Sequence, residues 1–197
     1  MHQSSLFGDP APCQPAELHR LFFALWPDAG VRARIRERAL ALEAAQRPGG
    51  RLIGAHRYHL TLQFLGDFAE LPQALAQRAG AAAAAVRADA FDFALDRAGS
   101  FANRDIPWWL GSAEPNPSLA ALWDRLGVAL AKQGVKVVAS HRAHAPHVTV
   151  VREAGHGLSA PLAIDPVIWR IDRFVLLHSV LGKRNEYSLL GEWPLDG

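Results

Sequence analysis

The chain has 197 residues, half of them hydrophobic, which suffices to bury a full core as one domain or as two lobes that share one. Its formal net charge of +2 is too small to name a partner, although the cations are almost all arginine, the side chain suited to bidentate contact with phosphate or carboxylate. No run of roughly 18 or more uncharged apolar residues is present, and Met1-His2-Gln3-Ser4-Ser5 lacks the basic and apolar regions of a signal peptide, so the expectation is a cytoplasmic chain that neither spans nor binds a membrane.

Residues 1–16 are rich in Ser, Pro and Gln and are expected to form a disordered leader. The single cysteine, Cys13, lies within it, so an intramolecular disulfide is excluded. Leu18 to Trp26 reads as a strand ended by Pro27, after which Val31, Ile35, Ala39 and Leu42 recur at helical spacing. Pro48-Gly49-Gly50 breaks that helix, and Arg57 to Leu65 reads as a second strand ended by Gly66-Asp67. The alanine-rich stretch from Leu71 to Ala88 carries Leu75, Ala79, Ala82 and Val86 along one side of a second helix.

Phe91 to Leu95 and Trp108 to Ser112 are predicted as strands. Leu119, Leu122, Trp123, Leu126 and Leu130 form the apolar stripe of a third helix that ends near Gly134. A strand begins at His147, and Arg173 to Ser179 and Glu186 to Trp193 close the chain around a turn at Gly182-Lys183-Arg184-Asn185. Strands of hairpin type interleaved with helices indicate an α+β protein of two similar lobes, with residues 17–197 as a single domain.

The chain has only two threonines, Thr61 and Thr149, and each follows a histidine by two residues, in His59-Leu60-Thr61-Leu62 and His147-Val148-Thr149-Val150. Given nine histidines, chance placement of both threonines there has a probability on the order of 0.002. On a strand, successive side chains alternate faces, so each unit buries its aliphatic pair and presents an imidazole and a hydroxyl together on the other face. Two such strands suggest a duplicated half-site.

Paired imidazoles suit phosphodiester opening. Water must lose a proton as it attacks phosphorus, while the leaving ribose oxygen gains one on the opposite side. With an ordinary pKa near 6.5, one histidine can be neutral as base while its partner is protonated as acid. A threonine hydroxyl two residues on can donate to a non-bridging phosphate oxygen as charge develops there. Neither metal nor cofactor is needed, and the symmetry of the pair leaves open which ring is acid and which is base.

Arg20-Leu21-Phe22-Phe23-Ala24-Leu25, the run from His59 to Gly66, the run from Pro146 to Arg152 and Phe174-Val175-Leu176-Leu177-His178-Ser179 together resemble the 2H phosphoesterase superfamily. Within it, the chain is most similar to the bacterial RNA 2′,3′-cyclic phosphodiesterases, also called 2′-5′ RNA ligases or LigT-like proteins. The likeness runs from about Arg20 to Leu195 and departs at Val150-Val151, where leucine is common, and at the leader, which lies outside it.

That resemblance implies a bilobal, pseudo-twofold fold with two antiparallel-rich sheets around a central cleft and helices outside. It implies a hydrolase acting on RNA ends or nucleotides that carry a 2′,3′-cyclic phosphate, with 2′-5′ ligation as a related outcome, and a monomer. It assigns His59 as proton donor and His147 as proton acceptor, with Thr61 and Thr149 beside them. Arg152 matches a family arginine near the substrate; strict strand parity turns it away from His147, so it must lie past the strand end or at a bulge.

Phe22 shares a strand face with Arg20 and Ala24, opposite Leu21, Phe23 and Leu25, and is the candidate platform for a base. The six tryptophans read as core anchors, Trp123 most clearly. Two rivals stand beside this reading. His141-x-x-His144-x-x-His147, echoed by His56-x-x-His59, has a spacing that could ligate zinc, but residues three apart on a strand face opposite ways and Pro146 opposes a helix. The other is a non-catalytic module for RNA ends or nucleotides. Among enzymes, the nearest alternative is a 2H phosphodiesterase acting on another cyclic or 2′-5′ phosphodiester.

Overall fold

Leu21, Phe23 and Leu25 alternate with Phe22 and Ala24 along β1 (Leu18–Leu25), and both faces are buried: the first set joins the main core, the second a smaller cluster with Val175 and Leu177. A strand covered on both faces belongs in the interior of a sheet. In the computed structural model, which describes residues 17–138, 145–182 and 186–197, that is where β1 lies. The expected leader with Cys13, His141 and His144, and Lys183, Arg184 and Asn185 of the expected turn are outside the described residues.

Asp28 caps α1 (Ala29–Gln46) by accepting from the Val31 N–H at 2.8 Å, and Val31, Ile35, Ala39 and Leu42 are its buried face, as their spacing predicts. Arg47, in a left-handed conformation, ends it. A two-residue strand β2 (Arg51–Leu52) and a 3-10 turn over Ala55–Arg57 lead to β3 (Leu60–Phe68), then α2 (Gln73–Ala84), β4 (Phe91–Ser100) and β5 (Trp108–Gly111). Asn116 caps α3 (Pro117–Lys132), which buries Leu119, Leu122, Leu126 and Leu130. The remaining strands are β6 (His147–Arg152), β7 (Leu162–Ile171), β8 (Arg173–Leu181) and β9 (Tyr187–Pro194).

The strands pair antiparallel in the order β7-β4-β5-β6-β3-β1-β8-β9, with β2 on the flank of β6. The two expected lobes are the two halves of this path, and between β3 and β6 they meet through one residue pair, Leu60 with Val148. α1 leaves β1 but packs over β6 and β7 of the other half, whereas α3, between β5 and β6, packs over β4 of its own half and β3 of the other. The main core lies under the helices, and the opposite sheet face carries the site.

Several boundaries differ from expectation. The 3-10 turn occupies the approach to the first motif, so β3 starts at Leu60 rather than Arg57. Gly66, at φ 138°, does not end β3. It carries a bulge against β1, where Leu21 pairs with Gly66 but Phe22 with Phe64, and the strand continues to Phe68. β4 runs to Ser100, α2 is shorter than its alanine run, and β7 is hidden in the sequence by Pro166. As an edge strand β7 tolerates proline, and its register against β4 shifts between Leu95 and Arg97. Trp108, fully buried with its indole N–H donating to the His156 carbonyl at 2.9 Å, and Trp169 anchor the core, whereas Trp123 is half-buried.

Candidate active site

The pairing of Leu60 with Val148 fixes the arrangement of the two motifs. Carried one residue each way, the antiparallel register sets His59 across from Thr149 and Thr61 across from His147. Leu110, Val148, Leu60 and Leu25 form a row across four strands, each fully buried against the core. By alternation, the imidazoles and hydroxyls on either side of that row share the opposite face.

Both imidazoles are anchored alike. His59 Nδ1 lies 2.8 Å from the carbonyl oxygen of Arg57, and His147 Nδ1 lies 2.7 Å from that of Ala145. A carbonyl only accepts, so each Nδ1 carries the proton and donates it, which makes Nε2 the pole that takes or gives a proton during reaction. The same two-residue reach back serves both rings because each histidine stands where the chain enters its strand.

A cleft of about 260 Å³ opens in front of His59 and Thr61, walled by Arg20, Arg57, Phe64, Arg152 and Tyr187. Aromatic rings hold both histidines. Phe22 and Tyr187 lie 5.1 and 5.2 Å from the His59 ring, and Phe101 meets His147 edge-on at 4.8 Å with Trp109 behind it at 5.6 Å. Phe22, the expected base platform, lines the cleft but is 2% exposed and forms its floor beneath His59.

Arg152 reaches the site by the expected irregularity. Trp109 pairs with Thr149 but Trp108 with Val151, so a bulge at Val150 reverses the parity and returns Arg152 to the face of His147 and Thr149. Arg20 is held in a bidentate pair with Asp67, both contacts at 2.8 Å, which keeps that carboxylate below its usual range. Arg57, Tyr187, Arg20 and Phe64 were not singled out from sequence. Arg57 had the one legible cue, its position two residues before His59, while Tyr187 joins the site only through β8–β9 pairing.

Burial pushes the His59 imidazole from its ordinary value down to about 4, and the charges of His147, Arg152 and Arg57 push the same way against the raising effect of the Arg57 carbonyl. At neutral pH this ring is therefore unprotonated. An arriving phosphate anion opposes that like-charge repulsion. A cluster that repels a proton until an anion is bound can hold a phosphodiester and move protons around it. Of the rival metal run, His141 and His144 lie outside the described residues, and His56 sits exposed on the 3-10 turn.

A sequence model of the 2′-5′ RNA ligase superfamily matches residues 27–182. The chain is 32% identical to the RNA 2′,3′-cyclic phosphodiesterase of Escherichia coli strain K12 over 184 residues, 91% of this chain and 98% of the relative. It is 29% identical to the protein of the same name from Thermus thermophilus, covering 90% of this chain and 91% of that one. The crystal structure of apo E. coli LigT superposes with a TM-score of 0.73 at 29% identity, covering 92% of this chain and 99% of the other.

Proposed function

The chain belongs to the 2′-5′ RNA ligase superfamily, and from that premise we propose that it hydrolyses RNA 2′,3′-cyclic phosphate ends to 2′-phosphates by a two-histidine acid–base mechanism. The name shared by relatives from two bacteria supports the substrate. The observation that carries the mechanism is the common anchoring of His59 and His147, each with Nδ1–H committed to a backbone carbonyl and the two rings set diagonally across one strand boundary.

His147 Nε2 takes the proton from water as its oxygen attacks phosphorus. The P–O3′ bond breaks on the far side, and His59 Nε2 delivers a proton to O3′, leaving the phosphate on O2′. Thr61 and Thr149 donate to non-bridging oxygens, and Arg152 balances the charge that gathers there. His59 suits the donor role because its surroundings hold a proton weakly, so a proton taken up when the anion binds is readily given to the leaving oxygen. With a 5′-hydroxyl in place of water, the same displacement makes a 2′-5′ bond.

Residues 17–197 act as one catalytic unit, and because one chain supplies both motifs, a monomer suffices. A substrate of RNA ends supports a cytoplasmic location. Among the described residues no helix is long and apolar enough to cross a membrane. The test is incubation with an oligonucleotide ending in a 2′,3′-cyclic phosphate in the presence of EDTA, followed by identification of the terminal phosphate. A 2′-phosphate is expected. A 3′-phosphate would reverse the roles of the two ribose oxygens, and tight binding without turnover would mark a module that reads RNA ends.

A further inference from the structure

We infer that Tyr187 is a positioning residue for His59: its phenol oxygen shares the Nδ1 proton while its ring shields the imidazole from water. The inference rests on the reading of His59 as a proton-transfer group. Tyr187 opens β9 and pairs with Ser179 of β8, which brings its side chain to the cleft face beside Phe22. There it is braced on two sides. Phe22 meets its ring edge-on at 5.5 Å and 81°, and the Arg57 guanidinium lies 5.2 Å from its centroid. So held, the phenol ring stands at 86° to the His59 ring, 5.2 Å away, with its oxygen 3.3 Å from His59 Nδ1.

Because Nδ1–H already donates to the Arg57 carbonyl at 2.8 Å, the phenol oxygen is a second, longer acceptor for the same proton. The N–H of an imidazolium is more polar than that of the neutral ring, so this oxygen favours the charged form. The ring acts oppositely, since its bulk excludes water and disfavours the charge. Tyr187 thus has two separable effects on one proton. The other groups that face His59 are Arg57 from the turn before β3, and His147 and Arg152 from β6; from β1, Arg20 reaches the same cleft but is tied to Asp67 of β3. The motif strands supply the reacting groups, and Tyr187 lets the C-terminal hairpin set how one of them is held.

Two substitutions separate these effects. The full-length protein carrying Tyr187→Phe or Tyr187→Ala is compared with the parent by NMR titration of the His59 ring and by kcat and KM for a nucleoside 2′,3′-cyclic phosphate. Tyr187→Phe keeps the ring and deletes the acceptor, so the His59 midpoint falls below the parent value of about 4. Tyr187→Ala admits water, so the midpoint rises toward the ordinary value, and kcat drops by roughly 10-fold or more with a much smaller change in KM. Midpoints unmoved in both variants, or moved the same way, overturn the inference, as does a loss confined to KM. If the parent protein does not turn over the cyclic phosphate, the proposed function fails, while the ring titration still decides the role of Tyr187. Circular dichroism checks the fold of each variant, and the milder Tyr187→Phe is decisive if the alanine variant unfolds.

Discussion

His59 stands across the β3–β6 boundary from Thr149 rather than from His147, and Thr61 in turn stands across from His147. In an antiparallel ladder, diagonal neighbours of this kind have their Cα atoms roughly 7–8 Å apart. In the proposed mechanism that separation would let the two rings flank a phosphorus atom, with the Thr61 hydroxyl lining the cleft beside His59. Each half of the chain contributes one histidine and places beside it the threonine of the other half.

Replacing His59 or His147 with alanine is expected to lower kcat by about 10² or more in each case, because each removes one proton-transfer partner. The double variant should fall far short of the product of the two losses, since residues that act as a unit are not additive. Steady-state kinetics on the four proteins reads this, and a single variant with near-parental activity would remove that histidine from the mechanism.

Binding of inorganic phosphate should raise the His59 midpoint from about 4, because the anion offsets the charges of His147, Arg152 and Arg57. NMR titration with and without phosphate measures the shift. The same depressed value makes folding pH-dependent. As pH falls from about 6.5 to about 4 the unfolded chain binds the proton first, so stability is lost across that window, by up to about 3 kcal/mol from this group. Urea unfolding of His59→Asn, compared with the parent at pH 7 and pH 4.5, should show that part of the slope removed.

Thr61→Val and Thr149→Val should slow turnover by about 10-fold to 10³-fold without displacing either limb of the pH–rate profile, since a hydroxyl donates but does not titrate here. A displaced limb would mean that the threonine tunes a histidine instead of holding the phosphate.

The His147 side depends on a glycine. A Cβ at Gly99 would run into the Trp109 ring, which lies behind Phe101, the neighbour of His147. Gly99→Ala should therefore cost about 1–3 kcal/mol through overpacking and lower kcat by shifting the wall that holds His147. Calorimetry and kinetics on the one variant test both, and a fully active, equally stable protein would show that this wall repacks freely.

The two His-x-Thr motifs were legible in sequence because strand periodicity puts residues two apart on one face, and both motifs obey it. Arg152 could be placed at a bulge for the same reason: its parity was wrong for the role its position suggested, and the irregularity at Val150 resolves the conflict. The aromatic surroundings were not legible. Phe22 has the right parity for the cleft, but its burial beneath His59 depends on Tyr187, which lies 128 residues away from that histidine in the chain. β7 was hidden by Pro166, a residue that opposes a strand everywhere except at a sheet edge, and sequence alone does not reveal which strand is the edge.

The seam between β3 and β6 is one rung wide, so the spacing of the two imidazoles depends on the angle between two half-sheets more than on either side chain. Two helices lie across that seam as splints: α1 carries the chain from β1 to the far half, and α3 rests on β4 of its own half and on β3 beyond the seam. The separation of the two imidazoles should therefore respond to helix seating. A change at Ile35 on the buried face of α1 should alter the opening between His59 and His147 without touching either.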